Sequence, residues 1–283
     1  MKIGTYATPY LKKYGVEAGY RRIAELGYEC IDFGDFCNTD VPLFQMNDAD
    51  FECELNTLRR LFVALGLKVS QTHGPWRYPM NDATPEARLE RFEKMSRSII
   101  GTALLESPCM VIHPIMPFGH SEGVHGRESW EINIEFLGRL AEVGRQNGVT
   151  VCLENMPFRF HCTSTPEAIL KLVKEINHPN LKICLDTGHA MTMGIQPANA
   201  LLQLGADYVK ALHVHDNDGD RDWHWIPFNG MIDWDAFAAA LRETGYNGVL
   251  SMETAVPAQF PDTLRGLQEE SLVRTALYLA GRL

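Results

Sequence analysis

Short runs of aliphatic and β-branched residues alternate with amphipathic stretches from one end of the chain to the other. The strand-like runs are KIGTYA (2–7), CIDFG (30–34), KVSQTH (68–73), MVIHP (110–114), VTVCLE (149–154), KICLD (182–186), YVKALHVHD (208–216) and GVLSME (248–253). Helical periodicity follows each, near 15–26, 48–65, 84–104, 128–148, 166–176, 197–204, 233–245 and 263–281. Gly27 follows the last periodic residue of the first helical segment as a stop signal, and Pro166 suits a first helical turn. Residues 8–14 and the GHAMTMG segment after KICLD read as loops. Eight βα units without a linker or low-complexity stretch predict a parallel sheet in an α/β protein. An open doubly wound sheet would carry a glycine-rich phosphate loop after its first strand, and TYATPYLKKYG has none. Even repeats therefore favour a single (β/α)8 TIM barrel domain over residues 1–283, with its chemistry at the C-terminal ends of the strands.

Composition narrows the partners. The chain has 283 residues, 45% hydrophobic and 22% charged, as expected of a globular α/β barrel. A net charge of −10 argues against broad polyanion binding, so nucleic acid is a disfavoured partner. No window holds 18 consecutive apolar residues, and MKIGTYATPYLKKYG lacks the apolar core of a signal peptide, so neither a membrane span nor export is expected. The seven cysteines include no C-x-x-C pair. Cys109, Cys152 and Cys184 read as buried small hydrophobes, and a cytoplasmic location is expected. A homo-oligomer is compatible with all of this.

The candidate chemistry lies at the strand ends. Six runs close on a residue able to bind a metal: His73, His113, Glu154, Asp186, His213 (followed by His215) and Glu253. Buried strands rarely end in ionisable groups, because an unpartnered buried charge is costly, and a divalent cation could hold several such groups together. Glu154 and Glu253 could flank one substrate. In DTGHA, a turn after Asp186 would bring His189 over the same mouth. His213 and His215 alternate and share a face, one to bind and the other to serve the rim or core. His73 and His113 are read as ligands or as polar contacts to a hydroxylated substrate. Asp222 and His224, in DRDWHWIPFNG, form a D-x-H pair that has many surface explanations by itself. His120, His125, His161 and His178 read as solvated. Tyr6, Phe33, Trp76, Phe158, Phe160, Trp223 and Trp225 crowd the βα loops, either walling a sugar-sized pocket or packing the rim. Phe33, Trp76 and Arg159 are the expected pocket residues. Arg77, Arg159 and Arg221 could meet a phosphate, and each is equally a surface arginine.

Taken together, VCLENMP, ICLDTGHA, LHVHDN, DWHWIPFNGMIDW and GYNGVLSME resemble the xylose isomerase-like TIM barrel superfamily, from the first strand to the last helix. Similarity to its ketose 3-epimerases implies that Glu154, Asp186, His213 and Glu253 hold one divalent ion, Mn or Zn foremost, with Co, Fe or Mg as alternatives. It also implies that the two glutamates double as the acid/base pair and that His189 contacts substrate. Similarity to endonuclease IV extends the set to His73, His113, Asp222 and His224, which would complete a trinuclear zinc site. The opening KIGTYATPYLKKYG departs from the endonuclease pattern, and Asp32 stands where relatives often have Glu, which leaves a role for it in doubt.

The expected function is a metal-dependent isomerase or epimerase of a sugar or sugar phosphate, moving a proton through a cis-enediolate. The alternatives are a zinc phosphodiesterase acting on abasic DNA, a polyol dehydratase on the same scaffold, and a non-catalytic sugar-binding barrel.

Overall fold

The computed structural model describes residues 1–76, 82–254, 256–257 and 259–281. Eight parallel strands surround a common axis: β1 (Lys2–Tyr6), β2 (Cys30–Phe33), β3 (Lys68–His73), β4 (Cys109–Ile112), β5 (Thr150–Glu154), β6 (Leu181–Asp186), β7 (Val209–His213) and β8 (Val249–Met252). They pair in the order β7-β6-β5-β4-β3-β2-β1-β8. The remaining seam is joined just beyond β7, where the Val214 N–H donates to Ser251 O at 2.9 Å and the Glu253 N–H donates to Val214 O at 3.1 Å. This is the expected (β/α)8 barrel.

Ten helices connect the strands among the described residues: α1 (Thr8–Tyr14), α2 (Val16–Glu25), α3 (Asp48–Leu65), α4 (Pro85–Leu104), α5 (Gly126–Gln146), α6 (Pro166–Ile176), α7 (Thr187–Thr192), α8 (Pro197–Leu204), α9 (Trp234–Glu243) and α10 (Asp262–Leu279). Local signals set most of their ends. Asn47, Thr84, Thr165 and Asp233 each accept a hydrogen bond from a first-turn N–H, and α3 stops at Gly66 in the left-handed conformation. Two helices fall in segments read as loops. One is α1, which has a proline in its first turn and buries only Tyr10. The other is α7, where the Asp186 carboxylate caps a six-residue helix.

The pleat places the chemistry. Outward residues such as Ile112, Leu153, Ile183, Leu185 and Leu212 join one core with the helices. Cys109, Val111, Cys152, Cys184 and Ala211 form a separate small cluster, compatible with the crowded axis. Two positions further on, and so on the same face, stand Glu154 after Cys152, Asp186 after Cys184 and His213 after Ala211. Small residues fill the barrel and ionisable ones cap it.

The loop after β7 is organised by buried Asp216, whose carboxylate accepts from the N–H groups of Asn217, Gly230 and Ile232 and from Trp234 Nε1 at 2.8–3.2 Å. Replacing it leaves four donors without an acceptor. Asp216→Ala should therefore lower unfolding free energy by roughly 3 kcal/mol, measured by denaturant titration.

Candidate active site

Glu154 is the meeting point of the barrel mouth. Its Oε1 lies 2.8 Å from His213 Nδ1, and its Oε2 lies 3.1 Å from His113 Nε2 and 3.4 Å from His73 Nε2. His189 Nδ1 is 3.6 Å from Oε1. The other face of His213 is held from below: its Nε2 lies 2.9 Å from Asp32 Oδ2, which also accepts from Gln71 Nε2 at 2.8 Å. Nδ1 is thereby aimed at Glu154, at Glu253 Oε2 (3.3 Å) and at Asp186 Oδ2 (3.9 Å).

A second group of side chains adjoins the first. The Asp186 carboxylate accepts from the His189 N–H at 2.6 Å and lies 3.0 Å from His215 Nε2. His215 stacks on His224 with ring centroids 4.0 Å apart. Asp222 reaches His189 Nε2 at 3.1 Å and His224 Nε2 at 3.2 Å. Gly188 is what admits His215, since a Cβ there would lie 2.0 Å from its Cε1. Asn155 supports both groups: its Oδ1 accepts from the Asp186 N–H at 2.8 Å, and its carbonyl oxygen lies 2.8 Å from His189 Nδ1.

The two glutamates are not equivalent. Burial alone would raise Glu154, but His213, His113 and His73 outweigh it and hold the carboxyl well below the usual carboxylate range. Burial lifts Glu253 above that range, with Glu154 and Asp186 adding to it and His213 and His224 only partly offsetting it. His113 is pushed down to about 4 by burial, which Glu154 does not overcome. Burial works against a charge on His224, yet Asp222 and Glu253 raise it to about 10.

The mouth fits a cation. Ligand atoms of Glu154, Asp186, His213 and Glu253 all lie within 4.8 Å of one another, and so do those of three further triads: His73–Glu154–His213, Asp186–His189–His215 and His215–His224–Glu253. Glu154 Oε2, Glu253 Oε2 and Asp32 Oδ1 are buried without a hydrogen bond, so each retains an unused lone pair.

Above these groups lies a cavity of about 430 Å³, walled by Tyr6, Trp76 and Phe158 and floored by Glu154, His189 and Glu253. A larger cavity of about 530 Å³ lies at the opposite end of the barrel. Lys2, Lys68 and Lys210 line it, and its one carboxylate, Glu106, is bonded to Arg59, so it offers none of this chemistry.

All nine residues of the fuller metal set, with His215, thus converge on one mouth. Asp222 and His224 belong to it because the loop after β7 folds back over the barrel, an approach that a D-x-H pattern does not announce. Three pocket expectations fare differently. Trp76 lines the cavity, edge-on to His113 with centroids 5.7 Å apart. Phe33 is instead fully buried among Phe36 and Phe62, because its place in β2 faces the helices. Arg159 is exposed and turns toward Gly219 O and Asp220, outside the cavity lining. Arg221 is also exposed, over the Trp223 ring, and Arg77 lies outside the described residues. His161, expected to be solvated, is buried, whereas His120 and His125 are exposed and His178 is partly so. Asp32, whose role the sequence leaves in doubt, and Asn155, which the sequence does not single out, both act as supports. Asp32 shares the inward face of β2, and Asn155 directly follows Glu154, but hydrophobic periodicity alone marks neither.

The fold and this buried cluster of carboxylates and imidazoles together define a barrel with one polar, cation-compatible mouth. Residues 20–274 match the family described as xylose isomerase-like TIM barrel, and the chain belongs to that family. It is 35% identical to the uncharacterized protein MJ1311 of Methanocaldococcus jannaschii over 184 residues, 62% of each chain, so this match spans less than two thirds of that relative. It is 24% identical to a D-psicose 3-epimerase of Ruminiclostridium cellulolyticum over 270 residues, covering 90% of this chain and 84% of the epimerase. A crystal structure of a D-psicose 3-epimerase in the presence of D-fructose superposes with a TM-score of 0.80 at 18% identity, covering 99% of this chain and 100% of the other.

The Gly188 contact is open to test. Gly188→Ala should destabilise the protein by about 1–3 kcal/mol through overpacking against His215, and the penalty should shrink in a His215→Ala background. Equal penalties in both backgrounds, read from unfolding midpoints, would show that the contact is not what requires glycine.

Proposed function

We propose that the protein is a divalent-cation-dependent epimerase or isomerase of a sugar or sugar phosphate, working by proton transfer through a cis-enediolate. The observation that carries this is the convergence of Glu154, Asp186, His213 and Glu253 within 4.8 Å beneath an aromatic-walled cavity of about 430 Å³. The epimerase relative points to the same class of substrate. Mixed oxygen and nitrogen donors suit Mn, Zn, Co or Fe, and less well Mg. When bound, such a cation supplies Lewis-acid polarisation of a substrate carbonyl.

The chain's own residues supply the rest. Glu154 on β5 and Glu253 after β8 are separated around the barrel by β6 and β7, so they approach a substrate from different directions. One removes the carbon-bound proton beside the carbonyl and the other returns a proton. Return to the same carbon from the opposite face gives the epimer, and return to its neighbour gives aldose–ketose isomerisation. His189, fixed through Asn155, stands at the cavity floor, where its Nε2 would exchange or share its Asp222 contact to hydrogen-bond a substrate oxygen. Tyr6, Trp76 and Phe158 offer ring faces to the apolar face of a sugar.

A second reading, a zinc phosphodiesterase acting on abasic DNA, draws on the adjoining Asp186, His189, His215, Asp222 and His224 group. The acidic balance of the chain argues against it. A polyol dehydratase would use the same cradle and differ in the bond broken.

Glu154→Gln and Glu253→Gln should each slow solvent deuterium uptake at the substrate carbon by about 100–10,000-fold in a ketose panel followed by NMR. Unchanged uptake in either variant removes that glutamate from the proton path. Chelation should abolish the exchange, and added Mn²⁺ or Zn²⁺ should restore it. Asp32→Asn should weaken cation affinity by about 10–100-fold in chelator competition, because it loosens the orientation of His213.

A further inference from the structure

Outside the barrel mouth, the loops after β4 and β5 bring together a carboxylate, an imidazole and a thiol: Glu122, His161 and Cys162. An isolated parallel bridge between Ser121 and Phe160 joins the two loops beside them. Glu122 and His161 are only 4% and 6% exposed, and Cys162 is half-buried. Glu122 Oε1 accepts from the Cys162 N–H at 2.6 Å, which fixes the carboxylate. Its other oxygen, Oε2, faces His161 Nε2 at 3.4 Å, and both atoms are buried without a hydrogen bond. The far side of the ring is anchored: His161 Nδ1 accepts from the Thr163 N–H at 3.3 Å and lies 2.9 Å from the Thr163 hydroxyl.

Two buried polar atoms aimed at each other without bonding call for a third party. The ligand atoms of all three residues lie within 4.8 Å of one another. Ligands of a tetrahedral zinc stand about 3.3–3.8 Å apart given bonds of about 2.0–2.3 Å, so the His161–Glu122 separation already suits one. Gly126, the first residue of α5, packs beside this group, where a Cβ would lie 3.3 Å from Glu122 Oε1 and 3.9 Å from Cys162 Cβ.

We infer that Glu122, His161 and Cys162 form a second cation site, separate from the barrel mouth and selective for a zinc-class ion, with its fourth position completed by water at the half-exposed thiol. Thiolate and imidazole donors favour Zn²⁺ or Co²⁺ over Mg²⁺ and Mn²⁺. Giving Nε2 to the ion moves the ring proton to Nδ1, where the Thr163 hydroxyl accepts it in place of the contact from the Thr163 N–H. Burial and Glu122 push the Cys162 thiol up to about 12, so binding an ion through sulfur would release that proton. The loop that carries His161 and Cys162 also carries Met156, Pro157 and Phe158, which line the cavity. An ion here would tie one cavity wall to the loop after β4.

Cobalt(II) alone is the probe, because only a thiolate ligand gives strong near-ultraviolet charge-transfer absorption. Titrating the full chain should produce that absorption. Glu253→Gln should keep it, while Cys162→Ser should lose it together with one equivalent of bound metal. Zn²⁺ should displace the cobalt and bleach the band, and millimolar Mg²⁺ should not. No band in the wild-type protein, as expected if a water bridges Glu122 and His161, overturns the assignment. A band that persists undiminished in Cys162→Ser, as expected if cavity-lining Cys37 were the ligand, overturns it equally.

Discussion

A carboxylate sealed inside a protein must be neutralised, and much of the barrel mouth can be read as the answer to that demand at Glu154. Four imidazoles, from the ends of β3, β4 and β7 and from α7, lie within 3.6 Å of its two oxygens. Each imidazole then needs its own second partner. Asp32 answers for His213, the Gly74 carbonyl for His73 and the Asn155 carbonyl for His189. His113 Nδ1 is left without a hydrogen bond. The arrangement spreads outward from one buried charge, and its unfilled lone pairs mark where a positive ion would complete it.

Much of this was readable in the chain because two periodicities act together. Helix and strand patterns announce eight repeats, and a pleat of period two puts a strand's last inward residue at the mouth. Glu154, Asp186 and His213 follow small residues that cannot themselves fill the opening, so their convergence is a consequence of register. Strand-end ligands are therefore legible one by one. Asp222 and His224 are not, since their position depends on a long loop that Asp216 folds through four hydrogen bonds. The supporting residues are harder still. Asp32 matters through Gln71 and His213, which are distant in sequence, and no local pattern encodes such a relay.

The expectations that failed did so for geometric reasons. Phe33 lies one residue from Asp32, and in a strand that single step moves it from the axis to the helix side. Arg159 and His161 belong to the same loop, yet one turns out to solvent and the other turns in to meet Glu122, a residue of the preceding βα loop. Polarity alone does not separate such neighbours. The missed helix α7 shows the opposite case, in which Asp186 is at once a strand end, a helix cap and a member of the site.

The seam between β7 and β8 gives the mouth a further character. Elsewhere adjacent strands share two or more registered pairs, with register shifts only at Ile31/Asp32 and Ile183/Cys184, but here the backbone link among the described residues runs through Val214 alone, bonded to Ser251 and Glu253. His213 and His215 flank Val214 on one side of that junction, and Glu253 stands on the other. An ion gripped by residues from both sides would act as a clasp on a hoop. The same bond that readied the chemistry would hold the two ends of the wound sheet together, so loss of the ion would be felt first as a loosening of the hoop at its joint.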